Sequence, residues 1–216
     1  MTTRRGFLVS AAACCVARTS FAQPALPPMD RLAFRLVRKG SAIGTHVLTF
    51  VRSDNGFDIR IAVDIAVGLG PIVFFRYTLR GLEQWRNGLV VHLDATTNDN
   101  GTREHMRADR DARGLWVNGT HASRYLAPPD AVPATHWNMA ELQAPWINPQ
   151  GGRLLHPVVR RVGPGPVVLA GNRTETATEY SMSGDATLDI WYDAARQWSG
   201  LRFAAKDGSE VRYELV

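Results

Sequence analysis

The stretch FDIRIAVDIAV, residues 57–67, decides the fold class. From residue 59 onward its odd-numbered positions are all branched aliphatic residues: Ile59, Ile61, Val63, Ile65 and Val67. The positions between them carry Arg60, Ala62, Asp64 and Ala66. A period of two places the two sets on opposite faces of a β-strand. The stretch therefore predicts a strand with one apolar face and one more polar face.

The same alternation extends outward in both directions, with short turns such as Asn55-Gly56 and Asn87-Gly88 between the runs. Strands are predicted at 32–40, 43–52, 57–67, 72–86, 89–97, 102–110, 115–119 and 120–126, and the strand pattern returns from residue 158 to the end of the chain. Sustained helical periodicity is absent, so neighbouring strands are predicted to pair as a meander.

Residues 127–153 break the alternation, since they are rich in proline and include the stretch PATHWN, residues 133–138. They predict a connector with one or two helical turns at most. The prediction is an all-β fold in which residues 31–216 form one domain. This domain is a single strongly curved antiparallel sheet, or barrel-like meander, with one proline-rich connector.

The first 22 residues predict an export signal. Arg4 and Arg5 precede a short apolar run, and Ser20-Phe21-Ala22 forms a small-residue exit. The twin arginines before Phe7 and Leu8 are typical of the twin-arginine (Tat) signal. An ordinary secretory signal and lipidation at Cys14 are the alternatives. Cleavage near Ala22 would leave an extended leader at 23–30 and a periplasmic protein without either of its two cysteines.

Charge and motifs narrow the possible functions. Without Arg4, Arg5 and Arg18, the 25 basic residues fall to 22 against 20 acidic ones, and the charges are interleaved. This pattern argues against a nucleic-acid surface. The histidines lack metal-site spacing, and the chain has no GxSxG elbow. We therefore predict no metal, no cofactor and no permanent membrane span.

Three segments carry a family resemblance: RKGSAIGTHVLTF (38–50), PATHWN (133–138) and the closing LDIWYD…GLRF…DGSEVRYEL (188–215). Together they resemble an uncharacterised exported proteobacterial family, filed as a domain of unknown function. More remotely, the chain is similar to periplasmic proteins with a large curved antiparallel sheet, including half-barrels that carry lipids or lipoproteins. The near resemblance implies export and assigns no activity to any residue. The remote one implies a fold.

Two sets of residues are candidate binding sites. His136 and Trp137 on the connector line a ligand entrance in one interpretation; in the favoured one, Trp137 plugs an end of the sheet. Arg60, Asp64, Arg76 and Arg80 share the polar strand face, and His92 extends it. If enclosed, this face would form a basic cavity for an anionic head group; if outward, it would be a solvated face with cross-strand ion pairs.

The function predicted from these observations is non-enzymatic binding of a small amphipathic or lipid-like ligand in the envelope. The alternative is a structural or assembly role, with another envelope protein as the partner. A hydrolase that uses His136 or His92 is a third hypothesis.

Overall fold

The computed structural model describes residues 30–69 and 72–216 of the chain. The predicted export signal and all but the last residue of the predicted leader lie outside this range. Sixteen strands are described. The first eight are β1 Arg31–Arg38, β2 Ser41–Ser53, β3 Gly56–Leu69, β4 Ile72–Arg86, β5 Leu89–Asp99, β6 Thr102–Asp111, β7 Gly114–Gly119 and β8 Ala122–Leu126.

The remaining strands follow the connector or lie within it. They are β9 Val132–Pro133, β10 Trp146–Ile147, β11 Leu154–Leu155, β12 Pro157–Leu169, β13 Arg173–Gly184, β14 Leu188–Tyr192, β15 Trp198–Ala204 and β16 Glu210–Leu215. Two short 3₁₀ helices span Met139–Leu142 and Ala170–Asn172. None of the helices in residues 30–69 and 72–216 could span a bilayer.

Thirteen of the strands form one large sheet with the order β12-β13-β14-β15-β16-β1-β2-β3-β4-β5-β6-β7-β8. Consecutive strands pair antiparallel, as a meander requires. The two arms of the meander meet where β1 pairs with β16, with Phe34 opposite Leu215. The all-β fold predicted from the alternation is confirmed.

The inner face of this sheet carries the core, because apolar side chains recur at every second position. On β3, Phe57, Ile59, Ile61 and Val63 are buried, whereas Arg60 and Asp64, at positions of the opposite parity, are exposed. The neighbouring strands repeat the pattern, with Leu48 and Phe50 buried on β2 and Leu79 and Trp85 on β4. One continuous cluster joins these residues.

The connector crosses the inner face of the sheet and belongs to the core. Its strands β9, β10 and β11 form a small second sheet, in which β10 pairs parallel with β9 and antiparallel with β11. Trp137, Trp146 and Ile147 are buried in the main core cluster. The Trp146 indole also donates a hydrogen bond of 2.7 Å to the Glu141 carbonyl oxygen within the connector. This segment therefore fills part of the space that the curved sheet surrounds.

The hairpin of β12 and β13 packs on the outer face of β14, opposite the main core. Ile190 belongs to the main core, whereas its neighbour Trp191 joins a second cluster with Val167, Leu169 and Ala177. Gly200 allows this close packing, because a Cβ atom there would lie 2.6 Å from Cγ2 of Val167. The sheet is thus covered on its second face at this arm.

Candidate functional site

The outward face of the central strands holds the five predicted polar residues, Arg60, Asp64, Arg76, Arg80 and His92. The first four are exposed, and Nη2 of Arg80 lies 2.6 Å from Oδ1 of Asp64. His92 also points outward, with its Nδ1 2.7 Å from Oδ1 of Asp109. Of the two alternatives for this set, the geometry supports the solvated outer face with cross-strand ion pairs, because the aliphatic side chains of β3 and the apolar residues Leu79 and Trp85 of β4 take the inner face.

Trp137 lies in a buried aromatic cluster and does not line the cavity described below. Its ring is 5.5 Å from the rings of Phe57 and Trp85 and 5.7 Å from that of Phe50, all near perpendicular. Its indole nitrogen donates to Oε2 of Glu83 at 3.3 Å, and the Trp85 indole donates to the same oxygen at 2.9 Å. Burial raises the pKa of Glu83. This geometry supports the plug interpretation of Trp137.

A cavity of about 570 Å³ lies between the inner face of the sheet and the connector and is open to solvent on one side. Its wall is mostly apolar, and the aliphatic part comes from Ile43, Ile61, Val63, Ile65, Val67 and Leu79. Phe75 and Phe203 add aromatic surface. The stretch that predicts the fold class therefore also supplies much of the cavity lining.

Polar side chains interrupt this lining, and we call three of them, His46, Thr135 and His136, the polar wall. The charged lining residues are Arg38, Asp99, Lys206 and Asp207. The two imidazole rings flank one indole, since each ring centroid lies 5.4 Å from that of Trp198. Thr135 precedes His136 on the connector. The connector thus brings its own polar groups against the sheet residue His46.

His46 is 6% exposed, and neither of its ring nitrogens has a hydrogen-bond partner among the described residues. Burial lowers the pKa of His46 to about 3, and the nearby His136 adds to the effect. The imidazole is therefore neutral at physiological pH, with one nitrogen a donor and the other an acceptor. The described part of the chain uses neither nitrogen.

His136 is held by a buried network around Glu141, which is 1% exposed. Glu141 accepts from the backbone N–H of His136 at 3.2 Å, and its Oε1 lies 3.0 Å from the Nδ1 of the same residue. The Tyr192 hydroxyl lies 2.8 Å from this carboxylate and 2.9 Å from the His136 carbonyl oxygen. Burial and then Glu141 raise the pKa of Tyr192 well above its usual value, so the phenol stays protonated and donates.

The network also explains the backbone of His136, whose φ is 69°. A non-glycine residue adopts this left-handed region at a cost, and persists there when its surroundings hold it. A carboxylate at Nδ1 holds a proton on that nitrogen. Nε2 of His136 is therefore left without a hydrogen-bond partner among the described residues.

Charged residues lie at the turns that surround the cavity opening. Arg38 donates to Asp207 and to Ser209, each at 2.6 Å, and Nζ of Lys39 lies 3.5 Å from the same carboxylate. The Ser209 hydroxyl and then Arg38 hold the pKa of Asp207 well below its usual range. In the described part of the chain, no three His, Cys, Asp or Glu side chains form a group that could hold a metal ion.

Comparison with known families matches residues 34–216 to the family model described as Domain of unknown function (DUF6134). The chain belongs to the DUF6134 family. The expected membership of a family of unknown function is confirmed, whereas its proteobacterial origin and its export stay predictions. No curated protein matches this member of the family.

A solved structure resembles this DUF6134 chain. It is the crystal structure of a β-barrel-like protein of the domain of unknown function DUF1849 from Brucella abortus. The TM-score is 0.55 at 9% sequence identity, and the match covers 86% of this chain and 94% of the other. At this identity the likeness shows the fold alone, and it agrees with the predicted barrel-like meander.

Sequence reasoning found one residue of the cavity wall, His136, and missed His46, which also lines the cavity, and Glu141, which holds His136 from behind. His46 shares the parity of Leu48 and Phe50 in IGTHVLTF, so its inward direction was available from the alternation. Glu141 lies in a connector without periodicity, where no pattern indicates which side chains meet. Its contact with Tyr192 joins residues that are 51 positions apart.

Proposed function

We propose that this DUF6134 protein binds a small apolar or amphipathic molecule in the cavity beneath its connector, without a catalytic step. The single observation that supports the proposal is a cavity of about 570 Å³ with a largely apolar wall. Ligand sites in proteins are typically concave, largely apolar and about 300–1,000 Å³ in volume. A ligand that covers this apolar surface removes it from water, which favours binding.

The test compares two tryptophan substitutions at neighbouring positions. Val67→Trp places an indole inside the cavity, because Val67 lines it, whereas Ala66→Trp places the same group on the exposed outer face. Native mass spectrometry of protein purified from an envelope fraction detects any bound ligand. Binding of the fluorescent probe N-phenylnaphthylamine gives an affinity for each variant.

We expect the wild-type protein and Ala66→Trp to carry ligand and to bind the probe, and Val67→Trp to lose both. The proposal fails if the wild-type protein binds neither a natural ligand nor the probe. It also fails if both variants bind the probe as the wild type does, because the bound molecule would then lie outside the cavity.

The proposal places the mature protein in the periplasm, with the signal at residues 1–22 removed. Its support is the pair Arg4 and Arg5 ahead of the apolar run. A reporter fused to the first 30 residues should reach the periplasm, and replacing both arginines by lysine should retain it in the cytoplasm. Export that persists after this replacement would favour the ordinary secretory signal instead.

A second candidate function, docking of another envelope protein, is favoured by exposed apolar residues at the start of β4. Ile72 is 62% exposed and Phe74 is 61% exposed, directly before the cavity residue Phe75. Exposed apolar groups of this kind often mark interaction surfaces. Phe74→Asp should then abolish capture of the partner, whereas Val158→Asp, at an equally exposed apolar residue on β12, should not.

A further inference from the structure

The polar wall contains hydrogen-bonding capacity that residues 30–69 and 72–216 leave unused. Buried polar side chains in folded proteins are nearly always paired, because an unpaired one loses its bonds to water and gains none in return. His46 departs from this rule at both ring nitrogens while it lines the cavity. The adjacent His136 keeps Nε2 free, since Glu141 occupies Nδ1.

We propose that the cavity selects an apolar alcohol, whose hydroxyl group pairs with the imidazoles of His46 and His136. This inference rests on the proposed ligand-binding function and names the ligand class. A hydroxyl both donates and accepts, so it matches the neutral imidazole of His46, which offers one N–H donor and one acceptor nitrogen beside the open Nε2 of His136. An ether oxygen only accepts, and it leaves the acceptor nitrogen of His46 unpaired.

The electrostatics of the wall disfavour an anionic group at the same place. His46 is neutral, and the carboxylate of Glu141 lies directly behind His136. The cations that line the cavity are Arg38 and Lys206. Arg38 lies four residues beyond Phe34, which lies opposite His46. At a rise of about 3.3 Å per residue, this separation is about 13 Å along the strand. Arg38 is moreover already paired with Asp207.

The experiment measures displacement of N-phenylnaphthylamine from the full mature chain by decanol and by its methyl ether. These probes have similar apolar chains and differ in the hydroxyl hydrogen. For the wild-type protein we expect decanol to bind about tenfold more tightly than the ether, the effect of roughly one hydrogen bond to an otherwise unpaired group.

The variant His46→Phe keeps an aromatic ring beside Trp198 and Tyr213 but removes both nitrogens. We expect it to reduce the preference for decanol to about twofold or less. We also expect the ligand-free variant to unfold at a higher urea concentration than the wild type, because an unpaired buried polar group is gone. The control Phe203→Leu changes an apolar lining residue and should alter binding of both probes by the same factor.

The inference is wrong if wild-type protein binds decanol no more tightly than the ether, a comparison that needs no variant. It is also wrong if His46→Phe is folded and keeps the full preference. Either result leaves the proposed function standing, provided that the fluorescent probe still binds in the cavity. Absence of probe binding by wild-type protein overturns the proposed function and this inference together.

Discussion

Trp137→Ala tests whether the connector is a structural plug of the sheet. Replacing a buried tryptophan by alanine costs about 3–5 kcal/mol. Three near-perpendicular ring contacts and the hydrogen bond to Glu83 place Trp137 in the upper part of this range. We expect a loss of about 4–5 kcal/mol, a large share of the roughly 5–15 kcal/mol that stabilises a typical protein.

The assay is urea unfolding followed by circular dichroism, with the free energy of unfolding extrapolated to water. Trp116→Ala is the matched control, because Trp116 lies on the outer face, where Arg124 stacks 4.2 Å above its ring and Asp111 accepts from its indole nitrogen. We expect the control to lose about 1–2 kcal/mol. A loss for Trp137→Ala no larger than that of the control would refute the plug interpretation.

Three further predictions concern charge and backbone. Because burial raises the pKa of Glu83, the folded protein keeps a proton on this carboxyl that the unfolded chain releases above about pH 4. The free energy of unfolding of the wild-type protein should therefore fall as the pH rises from about 4 toward the pKa of Glu83 in the folded state. Glu83→Gln, which has no such proton to lose, should show a flatter pH profile in urea unfolding. Arg80→Ala breaks an exposed ion pair with Asp64 and should change the free energy of unfolding by less than about 1 kcal/mol, without altering probe binding. Gly44→Ala should lower the free energy of unfolding by more than about 2 kcal/mol, because a Cβ atom there would overlap the Asp64 carbonyl oxygen.

Each of these predictions has a result that contradicts it. Parallel pH profiles for wild type and Glu83→Gln would show that this carboxyl does not control the slope. A changed probe affinity in Arg80→Ala would indicate that the outer face of the sheet contributes to ligand binding. For the glycine, Gly165→Ala is the control, since a Cβ atom there meets nothing closer than 4.0 Å. Equal stability of the two glycine variants would contradict the close-approach argument.

The sequence alone determined the fold class and which residues share a strand face. In residues 57–67, Ile61 and Val63 lie on the inner face and Arg60 and Asp64 on the outer face, as the period of two requires. Local geometry suffices for this result, because the backbone of a strand turns successive side chains to opposite sides. The inward direction of His46 follows from the same rule.

Only the tertiary structure decided which face is enclosed and what the connector does. A polar strand face can line a water-filled interior or face bulk solvent, and the alternation is identical in both cases. The direction in which the sheet curves and the placement of residues 127–153 against its apolar side settle the choice. The contact of Glu141 with Tyr192 likewise depends on the path of an aperiodic segment through the interior. Such contacts join residues far apart in the chain, so no local pattern specifies them.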